Sequence, residues 1–157
     1  MKKFILCLCV MSAAVLLLTG LPVLDAAEAY TQTGQDDIIA YVEGVRAKLH
    51  AGISRDDVGR EFGVEAYRVM KAINEGGSNY LYRYELLKDS DYEFINEYDL
   101  DTVDIEGIAE GKLRVVVFID YGDQDRLESY SIYYLGLAGV YELRDGSSGG
   151  NLIYRIE

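Results

Sequence analysis

Cysteine is almost absent from this chain. Its 157 residues include two, Cys7 and Cys9, and both lie in an apolar run near the start. From residue 10 onward the sequence therefore excludes a disulfide, a thiolate nucleophile and a cysteine metal site. A domain without disulfides must be stabilised by its apolar core, and this length suffices for one domain but not comfortably for two.

Histidine is scarce as well, since His50 is the single one. It follows a predicted helix, so we interpret it as a surface residue at a helix C-terminus rather than as a catalytic base. No serine lies in a nucleophile-elbow sequence, and the loop 146–150 (GSSGG) lacks the lysine of a phosphate-binding loop. We therefore predict a protein with no catalytic residue and no cofactor. An exported hydrolase that uses acidic residues stays open as an alternative, because nothing singles out one carboxylate pair.

Basic residues are outnumbered, with 15 Lys and Arg against 27 Asp and Glu and a net charge of −12. The imbalance is concentrated in residues 89–111, which carry nine acidic residues and no basic one. Such a charge repels phosphate backbones, so we predict no nucleic-acid partner. A calcium loop beginning at Asp89 would need Gly and Glu where Phe94 and Leu100 stand, so we predict solvated acidic loops and no metal site.

The first 29 residues are predicted to be a secretory signal peptide. Two lysines precede the almost entirely apolar run Phe4–Leu18, and Ala27-Glu28-Ala29 is a small-x-small cleavage site. We expect cleavage after Ala29, a secreted or extracytoplasmic location, and one domain over residues 30–157 with no stable membrane insertion. An uncleaved anchor is the alternative, because Phe4–Leu24 is just long enough to cross a bilayer.

Helical periodicity marks the first half of the predicted mature chain. From Asp36 onward, apolar residues recur at helical spacing on one face: Ile38, Val42, Val45 and Leu49. Ser54 is the predicted N-cap of a second helix, which ends at Gly63. A third helix is predicted over Glu65–Glu75.

From Tyr80 onward the period changes to two, which is typical of strands. Leu113–Leu135 predicts a hairpin whose first strand is apolar on both faces at its centre, as in the interior of a sheet. The other predicted strands are Tyr80–Leu87, Tyr92–Tyr98, Thr102–Ile108, Val140–Leu143 and Leu152–Ile156. The fold class is therefore α+β, with two or three N-terminal helices packed on an antiparallel sheet of roughly four to six strands.

The segment 52–63 (GISRDDVGREFG) carries the most informative local pattern. Its arrangement Gly-Ile-Ser-x-x-Asp-Val-x-x-x-Phe-Gly resembles the helical start of SmpA/OmlA (BamE-like) and β-lactamase-inhibitor-protein-like domains. The resemblance covers about Asp36–Leu135 and implies an exported interaction module with helices on an antiparallel sheet. Val64 replaces the proline that often follows the closing glycine, and the predicted helix Glu65–Glu75 would be an insertion. The resemblance assigns no binding role to any individual residue of this chain.

The same stretch is also similar to a DNA-binding helix-turn-helix. In that interpretation the predicted third helix would be the recognition helix and would carry Arg68 and Lys71. Two capped helices that meet at a glycine produce the same spacing for structural reasons, and the predicted export and the negative charge oppose this alternative.

Tyrosine is abundant, with 14 residues and no tryptophan. Alternation along the predicted strands places five of them as a candidate partner surface on one sheet face: Tyr80, Tyr82, Tyr84, Tyr130 and Tyr134. Tyrosine is enriched at interfaces, but it is also a good strand residue, so ordinary packing is the alternative. We predict a secreted, non-enzymatic domain whose sheet face or acidic loop binds an unknown protein partner in the cell envelope or outside the cell.

Overall fold

A computed structural model describes residues 26–72, 80–145 and 151–156. The contacts within the chain group it into two compact units, with the boundary between Thr31 and Gln32. All the packing described below lies in the second unit, which begins at Gln32. Most of the predicted signal peptide, and the helix prediction at 73–75, lie outside the described residues. Among those described, no helix is long and apolar enough to span a membrane.

The described chain contains three α-helices, six strands and a short 3-10 helix at Asp123–Asp125. The α-helices and strands are α1 (Ala26–Lys48), α2 (Arg55–Phe62), β1 (Tyr67–Met70), β2 (Tyr80–Lys88), α3 (Ile105–Ala109), β3 (Leu113–Tyr121), β4 (Leu127–Gly136), β5 (Gly139–Asp145) and β6 (Asn151–Arg155). The strands form one antiparallel sheet in the order β1-β2-β3-β4-β5-β6. The predicted α+β class with an antiparallel sheet is confirmed.

One face of the sheet, called here the helix face, carries the larger part of the core. Val115, Val117 and Ile119 of β3 project from it and are completely buried. The predicted apolar stripe of α1, from Ile38 to Leu49, packs in the same cluster. Val58 of α2 is also completely buried there. Burial of a side chain of this size stabilises the fold by about 1.5–3 kcal/mol, so the cluster is the main source of stability.

Helix α2 begins and ends as its sequence predicts. The Ser54 hydroxyl accepts a hydrogen bond from the Asp57 backbone N–H, which satisfies a donor that the first helical turn leaves free. Gly63 ends the helix in the left-handed region with φ of 67°, where a residue with a Cβ would be strained.

The opposite face, called here the acidic face, is covered by residues 89–109, which include α3. Val116 and Phe118 of β3 project from it and pack with Ile108 of α3. Strand β3 is therefore buried on both faces, as the sequence predicts. The cover on this side is mostly irregular chain.

Three predicted elements are wrong. Glu65–Glu75 is not a helix where the structure describes it, because Tyr67–Met70 forms the edge strand β1. Its single buried residue, Val69, packs on the acidic face, so the helical spacing was coincidental. The recognition helix of the helix-turn-helix alternative therefore does not exist. The predicted strands Tyr92–Tyr98 and Thr102–Ile108 are instead irregular chain and the short helix α3.

Candidate functional site

The structure does not place the five predicted tyrosines on one open surface. Tyr84, Tyr130 and Tyr134 are only 1%, 7% and 8% exposed and belong to the core cluster of the helix face. The physical reason is that alternation identifies residues sharing a sheet face but does not reveal whether helices cover that face. These three residues therefore act in packing in this structure, and Tyr80 and Tyr82 are the two that are partly exposed.

Two buried tyrosine hydroxyls are paired with each other. Tyr84 and Tyr121 share a hydrogen bond of 2.9 Å inside the core. Burial raises the pKa of both hydroxyls, so both are neutral at physiological pH. At the margin of this cluster, Arg55 donates to the Tyr82 hydroxyl at 2.6 Å and to Asp125 at 3.1 Å. The cavity of about 750 Å³ beside Arg55 and Tyr82 therefore has these two polar side chains already partnered.

The acidic face presents the chain's concentrated negative charge. Residues 91–97 alternate, so that Tyr92, Phe94 and Asn96 are partly buried while Ile95 and the acidic residues between them are exposed. Two side-chain contacts fix this extended segment. The Tyr92 hydroxyl donates to Asp104 at 2.5 Å, and the Asn96 amide donates to the Leu100 carbonyl at 2.6 Å. The segment is thus held in place without being paired as a strand.

Asp104 is the main polar anchor of this cover. It is only 6% exposed, and it accepts hydrogen bonds from both the Tyr92 hydroxyl and the Gly107 backbone N–H, which makes it the N-cap of α3. The hydrogen bond to Asp104 is the main reason that the pKa of Tyr92 is raised to about 12.

Edge strand β1 is joined to the acidic segment at one end. The Met70 backbone N–H donates to the Asp99 carbonyl at 2.6 Å, and the Asp101 N–H donates to the Met70 carbonyl at 2.9 Å. The Ala72 N–H also donates to the Asp101 carboxylate at 2.9 Å. These bonds block the outer edge of β1 at Met70 and join the end of the strand to the acidic segment at Asp99 and Asp101.

Four exposed apolar side chains lie on β1 and on the acidic segment that is bonded to it. We call them the acidic rim: Tyr67, Met70, Ile95 and Tyr98. Their exposed fractions are 54%, 43%, 77% and 71%, and Ile95 and Tyr98 are the most exposed large hydrophobic residues in the described chain. The acidic residues next to them, Glu93, Glu97 and Asp99, are exposed too. Exposed apolar side chains surrounded by negatively charged ones form a surface suited to a partner that is both apolar and positively charged.

A cavity of about 500 Å³ opens between β1, β2 and residues 93–99. Its wall includes Arg83, whose guanidinium lies 4.5 Å from the centre of the Phe94 ring. Arg83 is 2% exposed, and burial lowers its pKa while the nearby Glu85 opposes that shift. Sequence reasoning missed this residue. The available signal was the spacing of Arg83 and Glu85, two residues apart on the strand face opposite the tyrosines.

Other predicted positions give no site. His50 is exposed, and its ring nitrogen lies 3.4 Å from the neighbouring Ala51 carbonyl. In the described ranges of the chain, no three His, Cys, Asp or Glu side chains are grouped closely enough to hold a metal ion. Comparison of the chain with family models, curated proteins and solved structures finds no match.

Proposed function

We propose that this protein is an exported, non-enzymatic interaction domain that binds a partner protein through the acidic rim. In the proposed domain two N-terminal helices, α1 and α2, cover the helix face, and the acidic face is the surface that binds the partner. This is the class of exported interaction modules that the segment 52–63 resembles.

One observation carries the proposal: Ile95 and Tyr98, which are 77% and 71% exposed, project from the most acidic part of the chain. Solvated loops usually carry polar side chains at such positions, and contiguous exposed apolar surface often marks an interaction site. Tyr67 pairs with Arg83 and so adds exposed apolar surface to the acidic face, whereas Met70 pairs with Tyr80 and projects from the other face of this edge strand. Aromatic and methionine side chains are enriched at interfaces, where they supply contact area.

Charge defines the chemistry of the expected partner. Residues 89–111 contribute nine of the acidic residues and no basic one. A partner surface with Lys or Arg around an apolar centre would be attracted over several ångströms, and its association rate would fall with added salt. We therefore expect binding to weaken between about 0.05 and 0.5 M salt, where the Debye length shortens severalfold.

The test compares two pairs of exposed apolar residues. The epitope-tagged full chain is expressed in its native organism, cross-linked in the cell and recovered by immunoprecipitation. The variant Ile95→Ser/Tyr98→Ser removes the centre of the acidic rim. The matched control Ile153→Ser/Tyr154→Ser removes two side chains of β6 that are 58% and 44% exposed. Exposed substitutions of this kind change stability by no more than about 0.5 kcal/mol each.

We expect the wild-type chain and the β6 control to recover the same partner, and the rim variant to recover at least about tenfold less of it. Equal recovery by all three proteins would contradict the proposed surface. Export is tested separately by mass spectrometry of the protein's N-terminus. A protein beginning at Tyr30 outside the cytoplasm would support the proposal, and an intact leader on cytosolic protein would contradict it.

A further inference from the structure

The cavity beside Arg83 combines apolar walls with a buried cation. Val69 and Phe94 contribute apolar surface to it, and the exposed Ile95 stands at its margin. Its volume of about 500 Å³ lies within the range of small-molecule sites. The polar groups of such sites normally fix the orientation of a ligand, so the hydrogen-bonding state of Arg83 is decisive.

Two of the three nitrogens of Arg83 lack a hydrogen bond to any described residue. Nη1 donates weakly to the Thr102 carbonyl at 3.4 Å, whereas Nε and Nη2 are buried and have no hydrogen-bond partner. Nη2 lies 2.8 Å from Glu85 Oε1, so the two groups form an ion pair, but their alignment is not that of a hydrogen bond. Leaving a buried donor unpaired is costly, which makes this arrangement informative.

The two unpaired nitrogens define one edge of the guanidinium. Nε–H and Nη2–H point in parallel from that edge, and this is the fork that binds both oxygens of a carboxylate. Neither nearby carboxylate binds both nitrogens of this edge, although Glu85 Oε1 stands 2.8 Å from Nη2. Asp104 is engaged by Tyr92 and Gly107, and Glu85 is shared with Lys88, whose ammonium lies 2.8 Å from its second oxygen.

Charge is balanced among the side chains that line the cavity. Three cations, Arg68, Arg83 and Lys88, stand with three carboxylates, Glu85, Glu93 and Asp99. Arg83 and Lys88 share the carboxylate of Glu85, and their side chains are 3% and 28% exposed. A ligand with one negative charge is repelled less by these carboxylates than a doubly charged phosphate.

We propose that this cavity binds a carboxylate attached to an apolar chain, with the Nε–Nη2 edge of Arg83 as its bidentate donor. The apolar part of the ligand lies against Val69 and Phe94. Binding requires Glu85 to turn fully towards Lys88, because its oxygen now stands beside Nη2. A free carboxylic acid and the C-terminus of a peptide ending in an apolar residue share this chemistry. The site goes beyond the proposed partner surface and does not depend on it.

The direct test follows the Arg83 Nε–H resonance of the ¹⁵N-labelled chain during titration with hexanoate. We expect a saturable shift of this resonance with hexanoate, none with the uncharged hexanamide, and binding of acetate at least about tenfold weaker because it lacks the apolar chain. Acetyl-Gly-Gly-Leu with a free carboxylate is titrated beside its C-terminal amide. Tighter binding of the free peptide than of hexanoate identifies a peptide terminus as the source, and the reverse order identifies a free acid.

Two variants test whether the parallel donors of Arg83 bind the carboxylate, or whether a positive charge at this position is enough. Arg83→Lys keeps the positive charge but removes the parallel donors, so hexanoate should bind at least about tenfold more weakly. Because Arg83 is buried, Ile95→Glu serves as a second variant that leaves the core intact. Its added charge at the cavity margin should weaken hexanoate binding severalfold, and the control Ile153→Glu should not.

Three outcomes would overturn the proposed site: no saturable shift at Arg83, an equal shift with hexanamide, or unchanged affinity in both Arg83→Lys and Ile95→Glu. These results do not depend on partner recovery by immunoprecipitation. Failure of the carboxylate site and failure of the acidic rim are therefore distinguishable.

Discussion

Strand β3 is covered on both faces of the sheet, but the two covers are built differently. On the helix face, regular helices bury a continuous apolar cluster that runs from Ile38 of α1 to Leu143 of β5. On the acidic face, a short helix and an extended segment bury a smaller cluster, and side-chain hydrogen bonds to Asp104 and from Asn96 hold the segment. The first cover depends on apolar area and the second on individual polar contacts.

This difference explains where the candidate sites lie. The cavity on the helix face, beside Arg55 and Tyr82, has the Arg55 guanidinium already bonded to Tyr82 and Asp125. An irregular cover leaves gaps, keeps a buried cation at Arg83, and exposes Ile95 and Tyr98. Elements with fewer apolar contacts also open at lower free energy, which is a usual property of binding segments. The helix face thus buries the larger apolar cluster, and the acidic face carries both proposed binding sites.

The largest expected effect comes from removing one buried isoleucine from each face. Ile132 of β4 packs on the helix face and Ile108 of α3 on the acidic face, and both are completely buried. We expect Ile132→Ala to lower the free energy of unfolding by about 4 kcal/mol and Ile108→Ala by about 2–3 kcal/mol, because the irregular cover can relax into the cavity. Urea denaturation of the two variants measures the difference. Equal losses would show that the two covers are equally rigid.

The helix N-caps give a second matched pair. Asp104 is 6% exposed and satisfies two donors, whereas the Ser54 side chain caps the first turn of α2 at a half-buried position. We expect Asp104→Ala to cost about 2–3 kcal/mol, since it also leaves the Tyr92 hydroxyl unpaired, and Ser54→Ala about 1 kcal/mol. Thermal or urea unfolding measures both. A larger loss for Ser54→Ala would refute the view that polar contacts dominate the acidic face.

Regular elements were predictable from the sequence because each follows one period. The stripe of α1, the capped helix α2, strand β2 and the hairpin of β3 and β4 were all predicted from periodicity and from turn residues. Leu113–Tyr121 could even be placed inside the sheet, since both of its faces are apolar. These predictions use local information, and the tertiary structure agrees with it.

The acidic face could not be predicted in the same way. Residues 65–70 have helical spacing, yet Tyr67–Met70 pairs with β2 as an edge strand, which is a tertiary preference that overrides the local period. Burial alternates over Tyr92–Glu97, but no strand in the described part of the chain pairs with this segment, because Asp104 and Asn96 supply the contacts instead. Contacts between distant polar side chains leave no periodic signal, so the Arg83 cavity and the acidic rim were missed.

The smallest expected effect concerns one hydroxyl of the acidic face and its dependence on pH. Tyr92→Phe removes the hydrogen bond to Asp104, and we expect a loss of about 1 kcal/mol near neutral pH. The pKa of Tyr92 is raised to about 12 in the folded protein, against an ordinary value of about 10. Because the folded pKa is the higher one, the hydroxyl's contribution is complete below pH 10 and is lost as the pH rises towards 12.

The measurement is the difference in unfolding free energy between the wild type and Tyr92→Phe, followed by urea titration at several pH values from 8 to 12. Taking the difference cancels the other tyrosines, which ionise in both proteins. Tyr98→Phe is the control. Because the Tyr98 side chain is 71% exposed, this substitution should leave the urea concentration at the unfolding midpoint unchanged. A difference that stays constant up to pH 12 would mean that the Tyr92 hydroxyl does not hold the acidic cover, and that the packing of Phe94 and Ile108 does so without it.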